Sequence, residues 1–144
     1  MRIVFFGNAD FGVDTLKALI SSKSHDVVGV VTNEDKKVGR NRKIIATPIK
    51  KIALDNNVDV LSVDDISNRG FLTRLRSLKA DIFIVIGTSL NVYPAASLLN
   101  YAANAERIIV IDLQSCKHDG VEFICDKATN AVPNLVEKSL TLNS

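Results

Sequence analysis

Short apolar runs alternate with amphipathic segments along this chain, and this alternation restricts the possible fold more than any other feature. Strand-like apolar runs occupy residues 2–6, 26–31, 58–61, 81–86, 107–111 and 121–125. Segments with apolar residues at helical spacing occupy residues 13–20, 48–53, 71–78, 94–103 and 132–140. Strands that alternate with helices predict a parallel sheet with helices on both faces. We therefore expect an α/β, doubly wound Rossmann-like fold with right-handed crossovers and strand order 3-2-1-4-5-6.

The composition is that of a globular domain without a membrane span. Of the 144 residues, 47% are hydrophobic and 24% are charged, which is ordinary usage for a folded domain. No apolar run approaches the roughly 20 residues that cross a bilayer, and the first residues lead into a strand rather than a secretory signal. Cys116 and Cys125 match neither a zinc pattern nor a disulfide framework, and Cys125 is expected in the core. These features predict one cytoplasmic domain over residues 1–144, with no membrane and no metal partner.

Positive charge is concentrated in residues 33–51, which are polar and aperiodic up to residue 47 and are expected to form a long loop there. The whole chain has a net charge of +2. The segment contains two acidic residues, Glu34 and Asp35, and seven basic ones, which are Lys36, Lys37, Arg40, Arg42, Lys43, Lys50 and Lys51. Such a patch can attract phosphate, through contacts that weaken as salt increases. A solvated surface loop is the simpler alternative, and the sequence favours it.

In a doubly wound sheet, ligands bind where the carboxyl ends of the first and fourth strands meet. Residues 7–12 follow the first strand but lack the Gly-x-Gly-x-x-Gly pattern, because Ala9 and Asp10 would crowd and repel a pyrophosphate. An ordinary strand-to-helix turn is the favoured interpretation there. Gly87, Thr88 and Ser89 follow the fourth strand and offer amides and hydroxyls to an anion. A hydroxyl-rich turn explains them equally well.

Residues 1–80 resemble the amino-terminal part of methionyl-tRNA formyltransferase. The resemblance rests on the sequence MRIVFFGNADFGVDTLKALI and on the basic segment followed by TPIKKIA. It implies that the basic segment reaches toward the acceptor arm of tRNA, with Arg40, Arg42 and Lys43 contacting phosphates or bases. Asn8-Ala9 stands where the family usually has Thr-Pro. The family's catalytic Asn-x-His motif is absent from this sequence.

Residues 81–144 resemble the carboxyl-terminal Rossmann part of a sirtuin, an NAD-dependent protein deacylase. The resemblance rests on the sequences GTSLNVYPAA and KATNAVPNLVEKSL. It implies weak binding of NAD or ADP-ribose at the crevice beside Gly7. Gly87, Thr88 and Ser89 would lie near the phosphates and a ribose, and Asp112 near the adenosine ribose. The sirtuin's own Gly-Ala-Gly loop, catalytic His and zinc cysteines are absent.

Two partial resemblances, each lacking its catalytic residues, predict a chimera of unrelated halves, engineered rather than naturally fused. On this interpretation the chain is a Rossmann-like scaffold with no complete active site, is not an enzyme and requires no cofactor. Two alternatives stay open. One is a weak NAD or ADP-ribose binding module, and the other is a tRNA acceptor-arm binder that uses Arg40, Arg42 and Lys43, with tRNA the less favoured partner.

Overall fold

A parallel six-stranded sheet forms the centre of the computed structural model, which describes residues 1–7, 12–62, 69–86, 105–113, 120–127, 130–131 and 134–135. The strands are β1 (Arg2–Phe6), β2 (Asp26–Thr32), β3 (Lys36–Val38), β4 (Lys43–Ile45), β5 (Asp59–Ser62), β6 (Ile82–Ile86), β7 (Arg107–Asp112) and β8 (Glu122–Cys125). The helices are α1 (Val13–Ser21), α2 (Pro48–Asp55) and α3 (Arg69–Ser77). The predicted helices at residues 94–103 and 132–140 lie outside the described residues, apart from residues 134 and 135.

The sheet has the strand order β5-β2-β1-β6-β7-β8. Every neighbouring pair in it is parallel. Strands β3 and β4 form a separate antiparallel pair. With that pair set aside, the order is the predicted 3-2-1-4-5-6, so the expected Rossmann-like α/β fold is confirmed.

Apolar side chains fill both faces of the sheet, and adjacent residues of one strand serve opposite faces. Phe5 packs with Leu16 of α1 and Ile49 of α2, whereas Phe6 packs with Phe71 and Leu75 of α3. All five residues of β6 are buried, as expected for a central parallel strand. Full burial of each such side chain stabilises the fold by roughly 1.5–3 kcal/mol. Helices therefore cover both faces of the sheet, and loops lie at the carboxyl ends of its strands.

The predicted junction between two halves, near residue 80, is tightly joined in the structure. The Arg2 guanidinium donates two hydrogen bonds to the Leu78 carbonyl, at 3.0 and 2.8 Å. The Arg2 amide donates to an Asp81 carboxylate oxygen at 2.8 Å, and the Asp81 amide donates to the Arg2 carbonyl at 2.8 Å. The β1–β6 register runs without a shift from Ile3↔Ile82 to Phe6↔Val85. The two sides of residue 80 thus form one continuous sheet.

Strand β8 lies at the edge of the sheet, and this corrects the expectation for Cys125. Its side chain is exposed, and its thiol donates to the Leu113 carbonyl at 3.2 Å. On the same strand, Glu122 accepts two hydrogen bonds from the Arg107 guanidinium, at 2.7 and 2.8 Å. That pairing lowers the pKa of Glu122 and raises the pKa of Arg107. The apolar run at residues 121–125 predicts the strand but not its place at the edge.

Across the described segments, no helix combines the length and the apolar character that spanning a bilayer requires. The longest of the three helices named above have nine residues.

Candidate nucleic-acid interface

The basic segment folds as a β-hairpin rather than the expected long loop. We call residues 36–45, which comprise β3, the tip at residues 39–42 and β4, the basic hairpin. Lys37 pairs with Ile44, and Val38 pairs with Lys43. Both faces of a solvent-exposed ribbon carry long polar or aliphatic side chains, so its sequence lacks the apolar-polar alternation of a half-buried strand. That is the physical reason why periodicity missed it.

Hydrogen bonds between the residues on either side fix the base of the basic hairpin. The Thr32 hydroxyl, at the end of β2, lies 2.8 Å from the Thr47 hydroxyl, and the Thr32 side chain is almost fully buried. Thr47 is the N-cap of α2, because its side chain accepts a hydrogen bond from the Lys50 amide at 3.1 Å. Pro48 follows it in the first helical position, where a missing amide costs nothing. The residues between Thr32 and Thr47 therefore start at the end of β2 and end at the start of α2, both of which are rigid elements.

A salt bridge between Asp35 and Lys50 also holds the base of the basic hairpin. The Lys50 ammonium donates to both Asp35 carboxylate oxygens at 2.9 Å. The two side chains are 27% and 29% exposed, so the pair is partly shielded from water and stronger than a fully exposed one. This contact neutralises one acid and one cation of the basic segment. It involves none of Lys37, Arg40, Arg42 and Lys43, the cations of the basic hairpin whose side chains the structure describes.

The tip of the basic hairpin is a tight turn that points its cations outward. The Arg42 amide donates to the Gly39 carbonyl at 3.2 Å. Gly39 has φ +78° and Arg42 has φ +48°. Gly39 adopts this conformation without strain, whereas Arg42 pays a steric cost of roughly 1–2 kcal/mol. Strained non-glycine residues cluster at functional positions, which makes Arg42 the first tip residue to test.

The structure brings together the three predicted nucleic-acid contacts. Arg40 and Arg42 lie in the tip, Lys43 begins β4, and all three are exposed, as is Lys37 on β3. Within the described residues, the salt bridges join Lys50 to Asp35, Arg74 to Asp59 and Arg107 to Glu122. None of these pairs includes a cation of the basic hairpin. Three of these four cations are the predicted nucleic-acid contacts, and the fourth, Lys37, belongs to the same basic segment but is not among those contacts.

Exposed aliphatic side chains accompany the cations, and they are not among the functional residues predicted from the sequence. Val38 is 51% exposed and Ile44 is 63% exposed. Residues paired directly across an antiparallel ribbon share a face, so Lys37 lies beside Ile44 and Lys43 lies beside Val38. Each face of the basic hairpin thus combines a cation with an apolar surface. That combination suits phosphates together with the flat faces of bases or sugars.

A cavity of about 420 Å³ lies beneath the basic hairpin, at the carboxyl ends of β2 and β5. We call it the β2–β5 cavity. Its wall on the hairpin side includes Lys37 and Ile44, and its floor includes Val60 and Leu61. Asp35 and Lys50 also line it. The cavity could not be predicted from the sequence, because it depends on the hairpin folding back over the sheet.

The residues predicted to bind a nucleotide are only partly described. Gly7 directly follows β1, and its amide donates to the Val31 carbonyl at 3.2 Å. Asp112 is the last residue of β7, two strands away along the same edge of the sheet. Gly87, Thr88 and Ser89 lie outside the described residues. Binding of NAD or ADP-ribose at this group therefore stays a prediction.

The two predicted sites occupy different parts of the carboxyl edge. The basic hairpin follows β2, while Asp112 ends β7, with β1 and β6 between these strands. At about 4.8 Å between neighbouring strands, that separation is about 14 Å. A group of at least three His, Cys, Asp or Glu side chains that could hold a metal ion does not occur in the part of the chain that the structure describes.

Comparison with known proteins identifies the family. The model described as "Formyl transferase" matches residues 1–111. A methionyl-tRNA formyltransferase from Prochlorococcus marinus is 44% identical over 87 residues, covering 60% of this chain and 25% of that protein. One from Syntrophomonas wolfei is 36% identical over 110 residues, covering 72% of this chain and 35% of that protein. The chain thus spans about a quarter to a third of these relatives.

A solved structure supports the fold alone. The crystal structure of RSP, a Rex-family repressor, has a TM-score of 0.54 at 15% identity and covers 99% of this chain and 62% of that one. At this identity the match shows a shared Rossmann-like architecture and carries no information on function.

These comparisons correct the prediction about enzymatic activity, and they bear on the predicted division of the chain at residue 80. The prediction that the chain is not an enzyme is wrong, because the matching family and the relatives above are named for an enzyme. The family match crosses residue 80, where sequence analysis divided the chain into two halves. The sirtuin resemblance of residues 81–144 and the chimeric origin stay predictions. With more than half of its residues matched by the family model, this chain belongs to the formyl transferase family.

Proposed function

We propose that this chain takes part in formyl transfer to an aminoacylated tRNA and that the basic hairpin binds the acceptor end of that RNA. The observation that carries the proposal is the group of exposed cations on a ribbon whose base is fixed at Thr32 and Thr47. Family membership supports the reaction class, since the relatives above are named methionyl-tRNA formyltransferase. The proposed task of the described residues is to hold the RNA. The sirtuin-like and chimeric interpretations form no part of this proposal.

The chemistry of the basic hairpin fits an RNA backbone. Arginine donates paired hydrogen bonds to phosphate oxygens, and such charge-assisted bonds are about twice as strong as neutral ones. Arg40 and Arg42 stand at the tip of the turn, and Lys37 and Lys43 stand on its two strands. Phosphate contacts of this kind position an RNA without reading its sequence.

The shape of the basic hairpin favours the end of an RNA helix over its middle. The major groove of A-form RNA is deep and narrow, so side chains cannot read it, and proteins recognise unpaired ends instead. Unstacked bases rest on arginine planes and on apolar side chains. Val38 and Ile44 supply exposed apolar surface beside the cations. An acceptor end, with its unpaired 3′ nucleotides, offers both chemistries.

The position of the basic hairpin couples RNA binding to the usual ligand site of the fold. The hairpin follows β2, which is the neighbour of β1, and ligands of doubly wound sheets bind where the strand order reverses, between β1 and β6. One to two strand spacings, about 5–10 Å, separate these places. An RNA end held by the basic hairpin therefore lies within reach of a formyl donor at that crevice.

Binding of two RNA stems tests the proposal. One stem ends in a single-stranded 3′ extension, and the other has the same duplex and a blunt end. We expect the extended stem to bind more tightly, and we expect Arg40→Ala to weaken its binding about tenfold, as loss of one charge-assisted contact does. The matched control is Lys23→Ala, which removes an exposed cation just before β2, at the opposite edge of the sheet. Equal affinity of wild type and Arg40→Ala for the extended stem would contradict the proposed site.

A further inference from the structure

We propose that the β2–β5 cavity binds a ribonucleoside, with the ribose hydroxyls hydrogen-bonded to the Asp35 carboxylate. The cavity measures about 420 Å³, which lies within the usual range of small-ligand pockets. This site is separate from the phosphate contacts proposed for the hairpin tip, and it requires neither Arg40 nor Arg42.

The place of the carboxylate in the fold supports a ribose as its partner. In Rossmann-type sheets, an acidic residue about 20 residues beyond the first glycine loop accepts hydrogen bonds from a ribose 2′-hydroxyl. Here β2 ends at Thr32, and Glu34 and Asp35 follow it, 22 and 23 residues beyond Gly12. Both acidic residues line the β2–β5 cavity. Glu34 and Asp35 occupy that place in the fold, beside a lined cavity. Residues 7–12 lack the glycine pattern that binds a dinucleotide's pyrophosphate, so the ligand that fits is a nucleoside rather than a dinucleotide.

The Asp35 carboxylate is held by Lys50 and can still accept further hydrogen bonds. Lys50 donates to each of its two oxygens at 2.9 Å. A carboxylate offers about four acceptor positions, two on each oxygen. Each oxygen therefore retains the capacity to accept a hydroxyl while Lys50 stays in place. Lys50 also orients the carboxylate and balances its charge, so that the carboxylate repels a nucleotide phosphate less.

The other residues that line the cavity fit the remaining parts of a nucleotide. Ile44 of the basic hairpin and Val60 and Leu61 of β5 provide apolar contacts for a sugar and a base. Lys37, on the same face of the hairpin as Ile44, provides a cation for a phosphate. The lining thus offers apolar contact, a diol acceptor and a phosphate partner within one cavity.

Amide NMR titration with adenosine 5′-monophosphate tests the inference, with 2′-deoxyadenosine 5′-monophosphate as the matched probe. We expect the ribonucleotide to shift the amide resonances of residues 32–35 and 60–62. The deoxy probe should bind about tenfold more weakly, the usual effect of one lost hydrogen bond to a charged group. Equal affinities for the two probes, no saturable shift, or shifts confined to the end of β7 near Asp112 would each overturn the proposal.

Three variants separate the carboxylate from the salt bridge. Asp35→Asn removes the negative charge and one of the two acceptor oxygens, so it should reduce the preference for the ribonucleotide. Lys50→Met breaks the same salt bridge but keeps the carboxylate, so it should retain that preference. Asp55→Asn changes an exposed carboxylate at the end of α2 and should behave as wild type. Loss of the preference in Lys50→Met but not in Asp35→Asn would overturn the assignment.

The nucleoside can come from a free nucleotide or from an RNA, and a competition experiment separates these sources. If the extended RNA stem displaces the ribonucleotide from wild type, the RNA supplies the nucleoside. If both bind together, a free nucleotide is the occupant. A variant lacking Arg40, Arg42 and Lys43 should lose RNA binding and keep the ribonucleotide preference. That result keeps a failure of the RNA proposal distinct from a failure of this one.

Discussion

The Thr32 and Thr47 hydroxyls meet at 2.8 Å and join the end of β2 to the start of α2. Residues 33–46, which include the basic hairpin, begin and end at this contact. The contact therefore fixes the position of the hairpin relative to the sheet. Thr47 also caps α2 by accepting from the Lys50 amide at 3.1 Å. One side chain thus fixes the helix that carries Lys50 and the base of the ribbon that carries Arg40 and Arg42.

Replacing Thr47 should therefore destabilise the chain. Thr47→Ala removes the cap and the contact with Thr32, and we expect it to lower the free energy of unfolding by about 1–2 kcal/mol. Thr47→Ser keeps the hydroxyl and should stay within about 0.5 kcal/mol of wild type. Urea denaturation, read as a change in midpoint at constant m value, measures both. Equal midpoints for the Ala and Ser variants would show that the hydroxyl contributes nothing.

Two substitutions of Arg42 should affect stability differently but weaken RNA binding alike. Arg42→Gly removes the steric cost of φ +48°, and we expect it to raise the free energy of unfolding by up to about 1 kcal/mol. Arg42→Ala keeps that cost and should leave stability close to wild type. Both variants lose the guanidinium and should bind the extended RNA stem about tenfold more weakly. If Arg42→Gly gained stability and kept full RNA affinity, Arg42 would have no part in the interface.

Gly29 marks a close approach between β2 and the end of α3. A Cβ placed on it would lie 2.6 Å from the Leu78 Cδ1 atom, and Leu78 is buried with its carbonyl held by Arg2. We expect Gly29→Ala to cost about 1–3 kcal/mol by overpacking. In the double variant Gly29→Ala/Leu78→Ala the clash is gone, so the two costs should be less than additive. If chemical denaturation showed additive losses of unfolding free energy, the cost of Gly29→Ala would not come from its contact with Leu78.

His25 should make stability depend on pH. Burial, followed by the positive charge of the amino terminus, lowers the pKa of His25 below its ordinary value of 6.5, and its Nδ1 is buried without a hydrogen-bond partner among the described residues. The unfolded state then binds a proton more readily than the folded state, so stability is full above pH 6.5 and falls as pH drops toward the folded pKa. His25→Gln should remove that slope. An unchanged slope from denaturation curves between pH 7 and pH 5 would exclude His25 as its source.

The sheet could be predicted from sequence because its strands are buried on both faces and its helices are amphipathic. Continuous apolar runs such as the one ending at Ile86 leave no other role for a short segment. The basic hairpin could not be predicted in this way, because a ribbon exposed on both faces has no apolar period. The exposure of Cys125 also escaped prediction, since an edge strand and a central strand can have the same local sequence.

Part of the candidate site could likewise be predicted from the sequence, and part of it could not. The cluster of cations in residues 33–51 is visible in the sequence, and the resemblance to methionyl-tRNA formyltransferase implied Arg40, Arg42 and Lys43 as the contacts within it. The Asp35–Lys50 salt bridge and the Thr32–Thr47 contact join residues 15 positions apart, and only the fold reveals which partners meet. The β2–β5 cavity likewise requires Ile44 to fold back toward Val60.

The central claim is that the basic hairpin binds the RNA backbone, and the salt dependence of RNA affinity tests it most directly. The measurement is the slope of log Kd against log salt concentration for the extended stem, with wild type, the triple variant Arg40→Ala/Arg42→Ala/Lys43→Ala, and Lys23→Ala. Each lost phosphate contact reduces the slope by about 0.7–0.9, so the triple variant should lose about 2 to 3 from the slope and Lys23→Ala should match wild type. A triple variant with the wild-type slope and affinity would contradict the account.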